Sequence, residues 1–274
     1  MQACQVECKV MNVQRSRPAL RLERNPLVIV LAQTRISPIL RLAEHVPQIQ
    51  EALRHIGFPR FAEIQQPTLS TIVGGGPPTI SLASKYSFVD RTSSSAVVLS
   101  SEFITFEVTK YESFEAFVDR WGEVMRLVGD IIKPDLVERI GLRYVDLIQP
   151  RAGERVEDWL KAGLQGLELD LTEVQSRFEV VARTKDGEFV FRATRPRTGI
   201  IPPDLQPFEL TVEPADVPRD GGYVVLDFDH YSAVPRDYNV DELVQAFWQL
   251  HDFVDLAFRS SVTDAALKAW GAHT

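Results

Sequence analysis

Cysteine is nearly absent from this chain: two among 274 residues, Cys4 and Cys8, both close to the start. Two thiols cannot make a disulfide framework, so a reducing compartment is the default expectation. No His or further Cys stands close to them in sequence, and a structural zinc site wants four ligands. Long apolar runs are missing too. Nothing approaches the roughly 20 consecutive apolar residues of a membrane span. The first residues mix Gln, Glu, Lys and Arg, without the apolar core of a secretion signal. The expectation is a cytoplasmic protein with no membrane attachment.

Recognisable catalytic motifs are equally scarce. Gly74-Gly75-Gly76 is followed by Pro77-Pro78, not by Lys-Ser/Thr and a helix start, so it is no phosphate-binding loop. No Gly-x-Ser-x-Gly elbow occurs. The five histidines, His45, His55, His230, His251 and His273, show no metal-binding spacing. No metal and no cofactor is called for. Net charge is -8, which favours solubility and argues against a nucleic-acid binder over the whole surface. Residues 1–26 hold five Lys/Arg against two Glu. Residues 1–24 read as a mobile tail.

What remains is a soluble globular chain, 45% hydrophobic and 25% charged. Pattern reading predicts a strand after Asn25-Pro26 and a helix over 43–56, with Val46, Ile49, Leu53 and Ile56 at helical spacing. Strands follow near 62–73, 79–89 and 96–109. Helix 113–130 carries the stripe Phe114, Phe117, Val118, Trp121, Val124, Met125 and Val128, with Ser113 as N-cap. A strand over 136–148 opens the second half. It is followed by a short helix near 155–165, a hairpin over 174–195 turning at Lys185-Asp186-Gly187, and strands near 208–213 and 222–231. Asn239 and Glu242 signal the start of a helix over 240–258, and a last turn or helix begins at Thr263-Asp264.

This order predicts an α+β fold, with mostly antiparallel sheet covered by helices. Residues 25–134 and 135–274 form two α+β halves packed as one body. Both halves read strand, helix, three or four strands, helix, as a duplicated unit would.

The strand Arg139-Ile140-Gly141-Leu142-Arg143-Tyr144-Val145-Asp146 is the most informative stretch. Alternation puts Ile140, Leu142, Tyr144 and Asp146 on one face and Arg139, Gly141, Arg143 and Val145 on the other. Two guanidiniums on one face, with a glycine between, suit a carboxylate or phosphate, and a small anionic ligand is one candidate. They equally suit salt bridges to a neighbouring strand. In the strand around Tyr223, Val225, Asp227 and Asp229, the two carboxylates share a face and are the natural partners. They are also candidates for metal-assisted hydrolysis, although alternation turns His230 away from them. The hairpin face with Arg177, Glu179, Arg183 and Arg192 is the best nucleic-acid surface in the chain, but it lacks interleaved aromatics. His251 sits beside the apolar stripe of its helix and reads as a hydrogen-bonded structural residue.

The order of features resembles a sporadically distributed bacterial family of similar length whose function is unassigned. The resemblance covers about residues 24–268. It rests on Asn25-Pro26, Tyr86-x-Phe88-x-Asp90, Val97-Val98-Leu99-Ser100 and Tyr111 ahead of Phe114 and Phe117. It continues through the central Arg139-Ile-Gly-Leu-Arg-Tyr-Val-Asp146, Leu226-Asp227-Phe228-Asp229, Leu250-His251-Asp252, Phe258 and Thr263-Asp264. The family pattern has Asn where this chain has Asp146. The resemblance implies a bacterial accessory role, in a defence or toxin–antitoxin setting, and supplies no active site.

Three functions follow as expectations. The first is a non-enzymatic protein that binds a protein or nucleic-acid partner through its arginine face, with Arg139, Arg143, Tyr144, Asp146, Arg177, Arg183, Arg192, Tyr223, Asp227 and Asp229 as contact candidates. The second is a small-ligand sensor with a cleft between the halves, marked by a partly apolar cavity at Tyr144 or Tyr223. The third is a metal-dependent hydrolase using Asp227 and Asp229. The exposed side of the last long helix allows a homodimer.

Overall fold

The computed structural model describes residues 20–70, 79–150, 153–166, 173–205, 209–213 and 222–273. Cys4, Cys8 and the Gly74–Pro78 loop lie outside them. In chain order the first half comprises β1 (Arg21–Leu22), β2 (Leu27–Ile36), α1 (Leu42–His55), β3 (Arg60–Ser70), β4 (Thr79–Val89), β5 (Ser95–Leu99), β6 (Phe103–Val108) and α2 (Phe114–Ile132). The second half begins with β7 (Leu136–Ile148), then β8 (Ser176–Arg183), β9 (Glu188–Arg195), β10 (Val224–Ser232) and β11 (Arg236–Asp237). It ends with α3 (Val240–Ser261), α4 (Asp264–Ala269) and β12 (Ala272–His273).

The fold is α+β, as expected. One large antiparallel sheet runs in the order β3-β4-β5-β6-β2-β7-β10-β9-β8, with β11 appended to β7. This order shows how the halves relate. In each half the first strand lies at the sheet centre, pairs with the last strand, and the remaining strands step outward to an edge. The centre is the antiparallel pair β2–β7, with Leu31 opposite Arg143 and Gln33 opposite Gly141. Such mirrored order supports the duplicated-unit reading. The halves are not identical: where the first has α1, the second has two short 3-10 turns at Val156–Trp159 and Ala162–Leu164. The predicted helix over 155–165 is therefore corrected to these turns, where Trp159 meets Trp270 edge-on and Leu160 bridges Val262 at the end of α3.

Helices α1, α2 and α3 cover one sheet face. Their apolar stripes meet Val30, Leu99, Phe106, Leu142, Leu226 and Phe228 in a single core. Trp121 of α2 is fully buried and meets Phe247 of α3 edge-on at 4.6 Å. The helix starts follow the predicted caps. Ser113 Oγ accepts from the Ala116 amide, and Asn239 Oδ1 accepts from the Asp241 and Glu242 amides.

Two strand expectations are corrected. The stretch 96–109 is not one strand but the hairpin β5–β6. It turns at Ser100-Ser101-Glu102, where Ser100 Oγ accepts from the Glu102 amide and the Ser100 amide donates to the Phe103 carbonyl. A serine supplies the turn chemistry that glycine or proline usually advertises. Among the described residues, 209–213 form no strand. Instead, residues 199–205 and 209–213 cross the sheet face opposite the helices. Tyr223 Oη donates to the Gly199 carbonyl, Ile200 and Leu205 pack on Ile29, Leu31, Val145 and Val225, and Leu210 reaches Val89 and Ala96. The Thr211 amide donates to the Ser93 carbonyl. This strap buries apolar surface that the second face of the sheet would otherwise expose.

At the ends of the chain, Arg21 and Leu22 pair with His273 and Ala272. Ordered pairing therefore reaches back into the expected tail, whose residues 1–19 lie outside the described ones. Among the described residues no helix is long and apolar enough to cross a membrane.

Candidate functional site

The alternation read from the sequence sorts the candidate residues onto two faces, and the structure gives each face a different character. On the strap side, β7 and β10 run antiparallel with Asp229 opposite Arg143 and Asp227 opposite Val145. Arg143 reaches diagonally to Asp227. Its Nε and Nη2 donate to the two carboxylate oxygens at 2.7 and 2.8 Å. Arg192, directly across β10 from Asp227, adds a third bond at 3.1 Å and also holds Glu179 at 2.6 Å. Asp204 of the strap accepts from Arg143. The chain Glu179–Arg192–Asp227–Arg143–Asp204 is thus continuous. Side chains of Arg143 and Asp227 are only 8% and 5% exposed. Burial works against the charge of Arg143, but the two carboxylates more than offset it and raise its pKa. Asp204 is lowered by the same contact.

Arg139 is held less tightly. Nη1 donates to Gln33 Oε1 at 3.4 Å, Nη2 lies 3.9 Å from Asp229, and the guanidinium stacks 4.0 Å over the Tyr231 ring. A Cβ at Gly141 would lie 3.4 Å from Tyr231 Cβ and 3.6 Å from the Arg139 guanidinium, in ordinary van der Waals contact with both. The space that sequence reading left for a ligand holds Arg139 itself. Arg177 pairs with Glu179 and stays exposed, as does Arg183 at the end of β8. Tyr223 serves the strap. Among the described residues, Asp227 and Asp229 do not converge with a third acid, and no three His, Cys, Asp or Glu side chains gather as metal ligands would. His230 lies on the helix side, within hydrogen-bond distance of Thr184 Oγ1 and the Leu250 carbonyl.

The helix side holds a cavity of about 540 Å³. Its floor is Tyr144 and Asp146 on β7. Tyr111 to Glu115, at the start of α2, form one wall, and His251, Val254, Asp255 and Phe258 of α3 form another. The segment from Leu20 to Leu27, pinned by the β1–β12 pair, closes a third. Tyr144 Oη lies 3.0 Å from His251 Nδ1 and 3.5 Å from Tyr111 Oη. Phe114 stacks flat on the His251 ring at 3.9 Å. Burial raises the pKa of both tyrosines. Among the described residues no hydrogen bond or ion pair reaches the Asp146 carboxyl, which is 5% exposed. Burial, reinforced by the charge of Asp227, pushes its pKa up to about 8.

Of the sequence candidates, Tyr144 and Asp146 meet at this cavity. Arg143, Arg192 and Asp227 meet in the buried network, and Tyr223 stands apart from both. Sequence reading missed Tyr111, Phe114, Glu115 and Asp255 as site residues and gave His251 a structural role only. The available signal was the α3 spacing of His251, Val254, Asp255 and Phe258, a helical stripe that mixes polar with apolar side chains. Comparison of the sequence with protein-family models and with curated proteins gives no match.

Proposed function

We propose that this protein binds a small organic molecule in the cavity at the junction of its two halves, and acts as a sensor of that molecule. One observation carries the reading: a cavity of about 540 Å³ in which the buried Asp146 carboxyl meets no partner among the described residues. Ligand cavities commonly measure about 300–1,000 Å³ and combine apolar walls with a few convergent polar groups. A polar group that finds no partner within the protein calls for an explanation, and Asp146 faces the cavity, where a ligand can reach it. The location supports the reading as well. Walls from α2 and β2 belong to the first half, the floor and α3 to the second. In the bacterial accessory setting that the resemblance implies, such a protein would report its ligand to other components.

The alternative reading, recognition of a protein or nucleic-acid partner by the arginine face, contracts to the outer hairpin. Arg143 is committed to Asp227 and Asp204, whereas Arg177 and Arg183 remain exposed beside Val181 on edge strand β8.

The test is native mass spectrometry of protein purified gently from its own host, followed by a thermal-shift screen of small metabolites. A stoichiometric small added mass, or a saturable rise in Tm that Leu22→Trp abolishes by filling the cavity, supports the reading. If no small molecule of any charge raises Tm, or if the responses survive Leu22→Trp, the reading fails.

A further inference from the structure

The charge of the cavity is one-sided. Among the described residues, five acidic side chains line it, Glu23, Glu112, Glu115, Asp146 and Asp255, against the guanidinium of Arg21 and the His251 ring. An anion would meet this field unfavourably, so the small anionic ligand expected at the arginine strand does not fit here. Most of these acids have neighbours to satisfy them: Asp255 accepts from Arg259 at 2.9 Å, and Glu23 and Glu115 also engage other groups. Asp146 differs. It lies at the floor, is 5% exposed, and meets no hydrogen-bond or ionic partner among the described residues.

The surroundings select among cations. Among the described residues there is no cluster of three or more potential metal ligands. The cavity that Asp146 lines also carries four aromatic rings, those of Tyr111, Phe114, Tyr144 and Phe258. Ring faces attract organic cations and also bury an apolar body. Tyr144 and Asp146 project from the same face of β7, two residues and therefore about 7 Å apart, close to the span of a single ring with a short side arm.

Resting on the small-ligand reading above, we propose that the ligand is a small organic ammonium ion. Its apolar body lies against the aromatic wall, and its charged nitrogen pairs with the Asp146 carboxylate, whose proton leaves to solvent as the ligand binds. The partner that Asp146 lacks within the protein is supplied by the ligand. The Tyr144 hydroxyl, tied to His251, marks the opposite end of the bound molecule.

Three probes that share one body and differ in charge test this: phenethylammonium, 2-phenylethanol and phenylacetate. Binding to the full chain is followed by calorimetry and by tryptophan fluorescence, since the Trp248 ring packs edge-on at 4.6 Å against Phe114 of the cavity wall. Phenethylammonium is expected to bind at least tenfold more tightly than the alcohol, with phenylacetate weakest. Asp146→Asn should cut the ammonium affinity at least tenfold and leave the alcohol unchanged. Should that variant fail to fold, Glu112→Gln/Glu115→Gln serves in its place, with an expected loss of threefold or more for the ammonium ion alone. Equal or tighter binding of the alcohol or the acid overturns the ammonium assignment while leaving a ligand cavity in place. Ammonium binding that is indifferent to both sets of substitutions overturns it likewise. If none of the three probes binds, the assignment falls, and the metabolite screen then decides separately whether the cavity binds any small molecule.

Discussion

Replacing Arg143 by Met separates a structural arginine from a binding one. Methionine roughly preserves volume, so the change removes charge and hydrogen bonds without opening a large cavity. The side chains of Arg143 and Asp227 are 8% and 5% exposed and share two bonds, at 2.7 and 2.8 Å. Breaking a buried pair from one side costs about 3–5 kcal/mol, because the remaining charge stays out of water. Two features place this case at the lower end. Arg192 still donates to Asp227 at 3.1 Å, and Asp204, whose side chain is 65% exposed, simply returns to solvent. A loss of about 3 kcal/mol corresponds to a fall in Tm of about 6–12 °C at this chain length. Arg139→Met is the control. Its side chain is 25% exposed and its polar contacts are 3.4 and 3.9 Å long, so it should cost about 1 kcal/mol or less. The double variant Arg143→Met/Asp227→Leu should recover much of the loss, since no unpaired carboxylate remains. Urea unfolding followed by tryptophan fluorescence measures all of these. If Arg143→Met stays within about 1 kcal/mol of the parent, or costs no more than Arg139→Met, the buried network is not what holds this face together. Arg143 would then have to be reconsidered as a contact for a partner.

Three further outcomes are expected. Asp146 is pushed up to about 8 by burial and by the Asp227 charge, so the folded protein holds its proton more tightly than the unfolded chain. Its contribution is full below the ordinary carboxylate range and is lost as pH rises toward 8. Asp146→Asn should therefore gain on the parent by on the order of 3 kcal/mol between pH 5 and 8 in urea unfolding, and parallel pH profiles would count against the burial argument. Glu107, pushed up to about 7 by burial and by Glu209, behaves in the same sense, so Glu107→Gln should stabilise the protein at pH 8 and not at pH 5. Gly187→Ala would drive a Cβ into the Tyr231 carbonyl oxygen, a backbone atom that no side-chain rotation can relieve. It should cost about 3 kcal/mol and weaken amide protection in β8 and β9, and normal protection there would contradict the close approach.

The parts of the fold legible in the sequence are those fixed by local geometry. A strand has a period of two, so the face assignments in β7 and β10 hold over most of their length. They fail at Val137, which strict alternation sets on the arginine face with Arg139 but which packs in the helix-side core, next to a register shift between Arg35 and Ile36. The hairpin turn at Lys185-Asp186-Gly187 and the cap at Asn239 also announce themselves. The β5–β6 turn does not, because Ser100 does the work of a turn residue inside a stretch that still alternates. Nor does the strap. Ile200, Leu205 and Leu210 are ordinary apolar residues in a Pro-rich stretch, and only the presence of an uncovered sheet face explains their burial. The arginine–aspartate pairing was legible as one of two options. Choosing between them required the register, which sets Arg143 diagonal to Asp227.

The cavity was illegible for a different reason. Its parts come from four segments, around residues 20–27, 111–115, 144–146 and 251–258, and each has a satisfactory local explanation. Tyr144 belongs to an alternating strand, His251 to a helical stripe, and Ser113 to a cap. Only the mirrored strand order brings them together. It sets the first strand of each half at the sheet centre, so that β7 lies beneath the seam where α2 of one half meets α3 of the other. A molecule bound on β7 then contacts both halves at once. Its binding energy adds to the cohesion between them as well as to the cavity walls, and occupancy should raise the stability of the whole protein in a single transition.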